Sequence, residues 1–170
     1  MTFEANRREF LRGAAATGAL LVVGVRADGA LAAGDAAAAL NPFVKISADG
    51  TATAVLKHFE MGQGTTTGLT ALIAEELDVD LEAMAFEFAP ADAERYRNLL
   101  FGVQGTGGST AMANSFMQYR KAGAAARSVL VSAAAETWGV APPAISIDNG
   151  VLRAGARTAH FGEMIARAAT

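Results

Sequence analysis

Residues 58–77 read HFEMGQGTTTGLTALIAEEL, and this stretch decides how the chain folds. An apolar run that ends at Lys57 gives way to Gly62-Gln63-Gly64 and three threonines, after which apolar residues recur at helical spacing up to Leu77. The pattern predicts a strand, a tight glycine-rich turn and then a helix from about Gly68. One of the threonines is expected to cap that helix. We call residues 59–64 the first loop.

A second stretch, FGVQGTGGSTAMANSF at residues 101–116, repeats this design, and we call residues 102–109 the second loop. Glycines permit positive φ and let a ligand approach the main chain. The unpaired N–H groups and the dipole at a helix start favour an anion. A sharp turn without a ligand would explain one such loop alone. Two loops, each with a glutamine and glycines and with hydroxyl side chains in it or directly after it, favour a site for a phosphate-bearing ligand.

Composition excludes several classes of protein. The chain has 170 residues, 52% of them hydrophobic, and a net charge of −3, which indicates one globular domain without the basic excess of a nucleic-acid-binding protein. Cysteine is absent, so disulfides, thiolate metal sites and a cysteine nucleophile are excluded. Only His58 and His160 are present, which argues against a histidine-rich metal site. No metal-ligating side chain is therefore predicted.

The first forty residues indicate export. Arg7 and Arg8 precede an Ala/Gly-rich apolar run that ends at Val25, and a small-residue cleavage site follows. The apolar run is shorter than the ~20 residues that span a bilayer. The twin arginine predicts a Tat signal over residues 1–32, a linker over 33–40 and a periplasmic protein, free or associated with the inner membrane. The alternative is an amphipathic first helix of the mature fold.

The remaining pattern predicts an α/β (α+β) fold, with a mixed sheet, hairpins and packed helices in the order β-β-α-β-loop-α-β-β-α. A long helix is predicted from Ser109 to about Trp138, with Ser109 or Thr110 as its N-cap. The other predicted elements are a hairpin turning at Ala48-Asp49-Gly50, a strand at 83–88, a hairpin turning at Asn149-Gly150 and a last short helix.

A dinucleotide-binding fold is the obvious competitor, because it also places a glycine turn before a helix. Its G-x-G-x-x-G pattern is not matched by Gly62, Gly64 and Gly68. A nicotinamide-dependent oxidoreductase stays a third-ranked alternative, which NAD binding would reveal.

Three segments carry a family resemblance: NPFVKISADGTATAVLKHFEMGQGTTTGLTALIAEELDVD, FEFAPAD and YRNLLFGVQGTGGSTAMANSFMQYRKAGAAAR. They resemble the amino-terminal part of the large subunit of periplasmic molybdenum hydroxylases. These are the isoquinoline 1-oxidoreductase β-subunit-like proteins of the xanthine oxidase family, many of them called aldehyde dehydrogenases. The resemblance covers residues 41–170, which would be a truncated molybdopterin-binding domain.

The resemblance implies a set of cofactor-binding residues. Gln63 would hydrogen-bond molybdopterin near the metal, and the other residues touching the cofactor would be Met61, Gly62, Gly64, Gly107, Gly108 and Ser109. The pterin phosphate, or the pyrophosphate of the cytosine dinucleotide form, would be the anion at a helix start. Molybdenum itself would be held by the cofactor's dithiolene and by oxo, sulfido and hydroxo ligands.

The resemblance also implies an activity that this chain cannot perform alone. The complete enzyme would insert water-derived oxygen into an aldehyde or an N-heterocycle, and electrons would pass to a small subunit with two [2Fe–2S] clusters and, in many relatives, to a cytochrome c. The family's glutamate base lies near the far end of the large subunit, so no catalytic residue is assigned here. Glu60 is expected to be a polar strand-end residue, and His58 to be structural or on the surface.

The principal alternative belongs to another class of protein. It is a non-catalytic exported module that binds a phosphate-bearing ligand or a partner protein. The two hypotheses differ in whether the remainder of the large subunit, with its glutamate base, accompanies this chain.

Overall fold

A computed structural model describes residues 21–24, 42–47 and 49–168. The predicted linker at 33–40 lies outside these residues. So does the predicted signal at 1–32, apart from Leu21–Gly24, which forms a strand. The export signal therefore stays a prediction. Within the described residues, no helix combines the length and the apolar character needed to cross a membrane.

Seven strands and four α-helices are described. The strands are β1 (Leu21–Gly24), β2 (Pro42–Ile46), β3 (Ala52–Leu56), β4 (Ala85–Phe88), β5 (Ser146–Asp148), β6 (Val151–Ala154) and β7 (Arg157–His160). The helices are α1 (Thr65–Leu77), α2 (Ala93–Tyr96), α3 (Thr110–Trp138) and α4 (Phe161–Ala168). Short 3-10 turns span Leu81–Ala83 and Pro142–Ala144.

The first sheet has the strand order β1-β2-β3-β4. The predicted hairpin is confirmed: β2 and β3 pair antiparallel, with Lys45 opposite Thr53. Strand β4 pairs parallel to β3, with Ala54 opposite Phe86. A parallel neighbour requires a crossover connection, and α1 supplies it. This β3–α1–β4 unit places the first loop immediately after the end of β3.

Helices α1 and α3 pack side by side and run in the same direction. Gly68 lies against Met112 near their amino ends, and Asp78, at the C-cap of α1, pairs with Arg127 in the second half of α3. Between these points, a Cβ on Gly123 would lie 2.8 Å from the Cβ of Glu76. Glycine inside a helix costs ~1 kcal/mol relative to alanine, and this close approach is its justification.

One continuous core joins these helices to both sheets and to α4. Its largest fully buried members are Phe43, Ile46, Leu56, Leu69, Ile73, Leu77, Tyr119, Leu130, Leu152, Phe161 and Met164. The predicted start of α1 was three residues late, since the helix begins at Thr65 rather than Gly68. The strand predicted at 83–88 begins two residues later, at Ala85, because residues 81–83 form a 3-10 turn.

The second sheet, β5-β6-β7, is antiparallel and turns at Asn149-Gly150 as predicted. The prediction missed the third strand, β7, which pairs Ala159 with Leu152. Hydrogen bonds from this turn hold the sheet to the end of α1: Gly150 N–H donates to the Asp78 carbonyl at 3.1 Å. The mixed α/β architecture agrees with the predicted fold class.

Candidate functional site

The first loop has the backbone of an open turn. Gly62 and Gly64 have φ of 94° and 79°, a region that side chains rarely adopt, so glycine is required at both positions. A Cβ at either glycine would meet no atom within 4 Å, which leaves the outer face of the loop open. Met61 and Gln63 are exposed on it.

Gln63 folds back onto its own loop. Its Nε2 donates to the Phe59 carbonyl at 2.7 Å, and its Oε1 accepts from the Met61 N–H at 2.7 Å. A primary amide has two N–H donors and two acceptor lone pairs, so one of each is left over. The side chain is therefore held in place while it can still bind a donor and an acceptor outside the loop.

Glu60 caps the start of α1, and this corrects two expectations. Its Oε1 accepts from the N–H groups of Gly62 and Gly64 at 2.8 and 3.0 Å, and its Oε2 accepts from the N–H and hydroxyl of Thr66 at 2.9 and 3.0 Å. The N-cap position itself is Gly64, so no threonine caps the helix. Glu60 is thus more than a polar residue at a strand end.

The second loop also tightens before its helix. Gly108 and the non-glycine Ser109 both have left-handed φ, 58° and 55°. The Thr110 hydroxyl donates to the Gly107 carbonyl at 2.7 Å, and the buried Asn98 amide donates to Thr110 Oγ1 at 2.7 Å. Ser109 occupies the N-cap position of α3 as one prediction had it, but within the described residues its side chain makes no capping bond.

The glutamine of the second loop has a different role from Gln63. Gln104 Nε2 donates to the Pro90 carbonyl, and its Oε1 accepts from the Asp92 N–H, both at 3.0 Å. These bonds tie the second loop to the segment after β4. The parallel between the two glutamines in the sequence therefore does not extend to the structure.

Thr106 joins the two loops. Its Oγ1 accepts from the Phe59 N–H at 2.9 Å and lies 3.3 Å from His58 Nδ1. The connection brings together residues that are 47 positions apart in the sequence. Sequence reasoning did not select Thr106, although it lies inside the quoted QGTGGST motif.

Two buried basic side chains lie under the loops. Lys57 Nζ donates to Gln118 Oε1 at 2.7 Å and to Asn114 Oδ1 at 2.9 Å, both on α3. Burial lowers the pKa of Lys57 to about 8. Burial, followed by the charge of Lys57, lowers the pKa of His58 to about 4, so this imidazole is neutral at pH 7. His58 is buried, so it is not on the surface, and the other role expected for it, a structural one, stays a prediction.

Exposed apolar side chains surround both loops. Those in or next to the loops are Phe59, Met61, Leu99, Leu100, Phe101, Val103, Met112, Phe116 and Met117. Exposed apolar side chains gathered in two neighbouring segments often mark a binding site or an interface. The loops therefore lie in a surface that is suited to covering by a ligand or by more protein.

A family model for the molybdopterin cofactor-binding domain matches residues 2–170. The beta chain of isoquinoline 1-oxidoreductase from Brevundimonas diminuta is 38% identical over 134 residues, 77% of this chain and 17% of that protein. One of the subunits of nicotinate dehydrogenase from Pseudomonas putida is 33% identical over 125 residues, 72% of this chain and 10% of that protein. The chain thus spans less than a fifth of these curated relatives.

Two solved structures share the fold. Quinoline 2-oxidoreductase from Pseudomonas putida 86 aligns with a TM-score of 0.55 at 20% identity, over 72% of this chain and 15% of its own. A Cu,Mo-CO dehydrogenase aligns with a TM-score of 0.55 at 19% identity, over 85% of this chain and 18% of its own. With the family model matching nearly every residue, the chain belongs to the molybdopterin cofactor-binding domain family.

Proposed function

We propose that this chain is part of the cofactor-holding large subunit of an exported molybdenum hydroxylase that oxidises aldehydes or N-heterocycles. Membership of the molybdopterin cofactor-binding domain family supports the cofactor. The named relatives include an isoquinoline oxidoreductase subunit, a nicotinate dehydrogenase subunit and a membrane-bound aldehyde dehydrogenase of Gluconacetobacter polyoxogenes, 28% identical over 134 residues. Their names support the proposed substrate classes.

The residues of the two loops fit such a group. Gln63 keeps one N–H and one lone pair for a ligand, and no side chain fills the space beside Gly62 and Gly64. Gly107 and Gly108 lie beside the exposed Ser109, and the Phe101 ring is 3.8 and 3.6 Å from where a Cβ on each glycine would stand. When bound, the cofactor would supply the redox chemistry of molybdenum beside these residues.

The single observation that carries this assignment is the Thr106 bridge. It joins the loop that presents Gln63 to the loop that presents Gly107, Gly108 and Ser109, so one ligand can contact both. The anionic part of the ligand, a pterin phosphate or a cytosine dinucleotide pyrophosphate, would lie at the start of α3. At that position the Ser109 side chain makes no capping hydrogen bond within the described residues, so it does not occupy the first N–H groups of α3.

Proton abstraction is assigned to another part of the enzyme. The carboxylate of Glu60 already accepts four hydrogen bonds, which lower its pKa to about 2, so it is a poor base. We propose that the base and most of the substrate pocket belong to the remainder of the large subunit. That remainder would cover the exposed apolar surface around the loops.

The proposed partners follow from the same assignment. Electrons would leave through a small [2Fe–2S] subunit and, in an exported enzyme, a cytochrome c subunit. Arg7 and Arg8, ahead of an apolar run, support folding and cofactor insertion before Tat export to the periplasm. The chain by itself is proposed to be inactive.

Gln63→Ala in the assembled enzyme is the test of the cofactor contact. Loss of one hydrogen bond of about 1 kcal/mol should weaken cofactor retention about fivefold. Pterin and molybdenum per polypeptide would be measured after dilution and gel filtration. Thr158→Ala, exposed in the second sheet, is the control and should keep its cofactor. Equal retention by Gln63→Ala and wild type would remove Gln63 from the site.

A further inference from the structure

The carboxylate of Glu60 lies where an external anion would be expected. Helix α1 has thirteen residues, and the N–H groups at its start carry partial positive charge. Gly64 at the N-cap has no side chain to offer them. Glu60, four residues earlier, reaches back and accepts from Gly64 and Thr66 at 2.9 to 3.0 Å.

The same carboxylate fixes the main chain on both sides of Gln63. The N–H groups of Gly62 and Gly64 both donate to Glu60 Oε1, at 2.8 and 3.0 Å. Gln63 stands between these two anchored glycines, and its amide then bonds to Phe59 and Met61. Glycines with positive φ are otherwise free to adopt many conformations, so an anchor at each side is needed to define the direction of Gln63.

We propose that Glu60 is a positioning residue: it is the internal anion of the first loop, and it holds Gln63 in the orientation that meets the cofactor. This proposal rests on the proposed function for the identity of the ligand. It also revises the expectation that the first loop binds a phosphate, because the Glu60 carboxylate already neutralises the positive amino end of α1.

The charge of Glu60 persists through the neutral range. Hydrogen bonds from the main chain, that of Thr66 first, lower its pKa from 4.5 to about 2. A carboxyl whose folded pKa is depressed stabilises the fold above its unfolded pKa, and that contribution is lost as the pH falls through the folded value. The stabilisation that the ionised Glu60 carboxylate gives to the first loop is therefore fully present above about pH 4.5 and is lost as the pH falls towards 2.

The test compares Glu60→Gln with Glu75→Gln, an exposed glutamate on the same helix. The side chain of glutamine keeps the size of glutamate but loses its charge, and its NH₂ would face the N–H donors. Deuterium uptake by the peptide covering residues 59–67 would be followed by mass spectrometry in the assembled enzyme, with and without cofactor. Pterin and molybdenum content would be measured in the same samples.

The expected result is uptake at least tenfold faster in Glu60→Gln, in both forms, together with reduced cofactor content. Glu75→Gln should match wild type in both measurements. Glu60→Asp, which keeps the charge on a shorter side chain, should restore part of the protection and of the cofactor content. Formate added to Glu60→Ala should slow uptake again, because a free carboxylate can occupy the vacated position.

Two outcomes would overturn the proposal. Unchanged uptake in Glu60→Gln would show that the carboxylate does not anchor the loop. Faster uptake with unchanged cofactor content would show that the anchor does not position Gln63. Wild-type enzyme that binds no pterin would instead refute the proposed function, and the uptake comparison in the cofactor-free form would still decide whether Glu60 is the internal anion.

Discussion

Gly123→Leu is expected to destabilise the fold by about 3 kcal/mol, because it forces α1 and α3 apart. A Cβ at residue 123 would lie 2.8 Å from the Cβ of Glu76 and 3.1 Å from the Ile73 carbonyl oxygen. The carbonyl belongs to the α1 backbone and cannot rotate away. Leucine adds three further carbons to this contact, so one helix must move and lose packing along the whole seam.

The measurement is urea unfolding of the chain followed by circular dichroism. Ala124→Leu is the matched control, since residue 124 is the next position on α3 and is exposed. It should change the free energy of unfolding by less than about 0.5 kcal/mol. Equal midpoints for Gly123→Leu and wild type would show that the two helices do not pack as closely as described.

Tyr119→Phe is expected to cost about 2 kcal/mol or more, although it removes only one oxygen. The Tyr119 hydroxyl donates to the Val55 carbonyl at 2.8 Å and accepts from the Lys57 N–H at 2.9 Å. The side chain is fully buried. Phenylalanine would preserve the ring contact with Phe43 but leave two main-chain groups in the interior without these partners.

The effect should appear in the same unfolding measurement. Phe116→Leu, which alters an exposed aromatic residue on α3, is the control and should have little effect. A loss below about 0.5 kcal/mol for Tyr119→Phe would mean that water or another group replaces the hydroxyl. The hydroxyl would then not secure the end of β3, from which the first loop departs.

Elements with a strong local signal could be predicted from the sequence. The β2–β3 hairpin follows from two β-type runs around Asp49-Gly50, where glycine adopts the required positive φ. Helix α3 was predicted to within one residue at its start, because apolar periodicity is bounded by Ser109 and by Gly139, a glycine at the C-cap. Local chemistry decides such features.

Features that depend on distant residues could not be predicted in this way. Strand β7 is only four residues long and gains its stability from pairing with β6. The Thr106 bridge and the buried Lys57 depend on which segments meet in three dimensions. Glu60 could have been found, because a carboxylate shortly before a helix start is a recognised capping arrangement, but the threonines offered the more usual cap.

Candidate ligand-binding residues could be selected from the sequence, but the residue types alone do not identify the ligand. Glycine, glutamine and hydroxyl groups before two helices indicate a ligand without naming it. The family relationship names the ligand. The structure then separates the exposed Gln63, which bonds within its own loop, from Gln104, which ties the second loop to Pro90 and Asp92. Position in the fold therefore distinguishes two glutamines that look equivalent in the sequence.

The most direct test of the account is the molybdenum and pterin content of the protein purified from its native host, with mass spectrometry of the polypeptides that accompany it. We expect about one molybdenum and one molybdopterin per polypeptide, together with the remainder of the large subunit and an iron–sulfur subunit. A folded preparation that contains neither molybdenum nor pterin would contradict it.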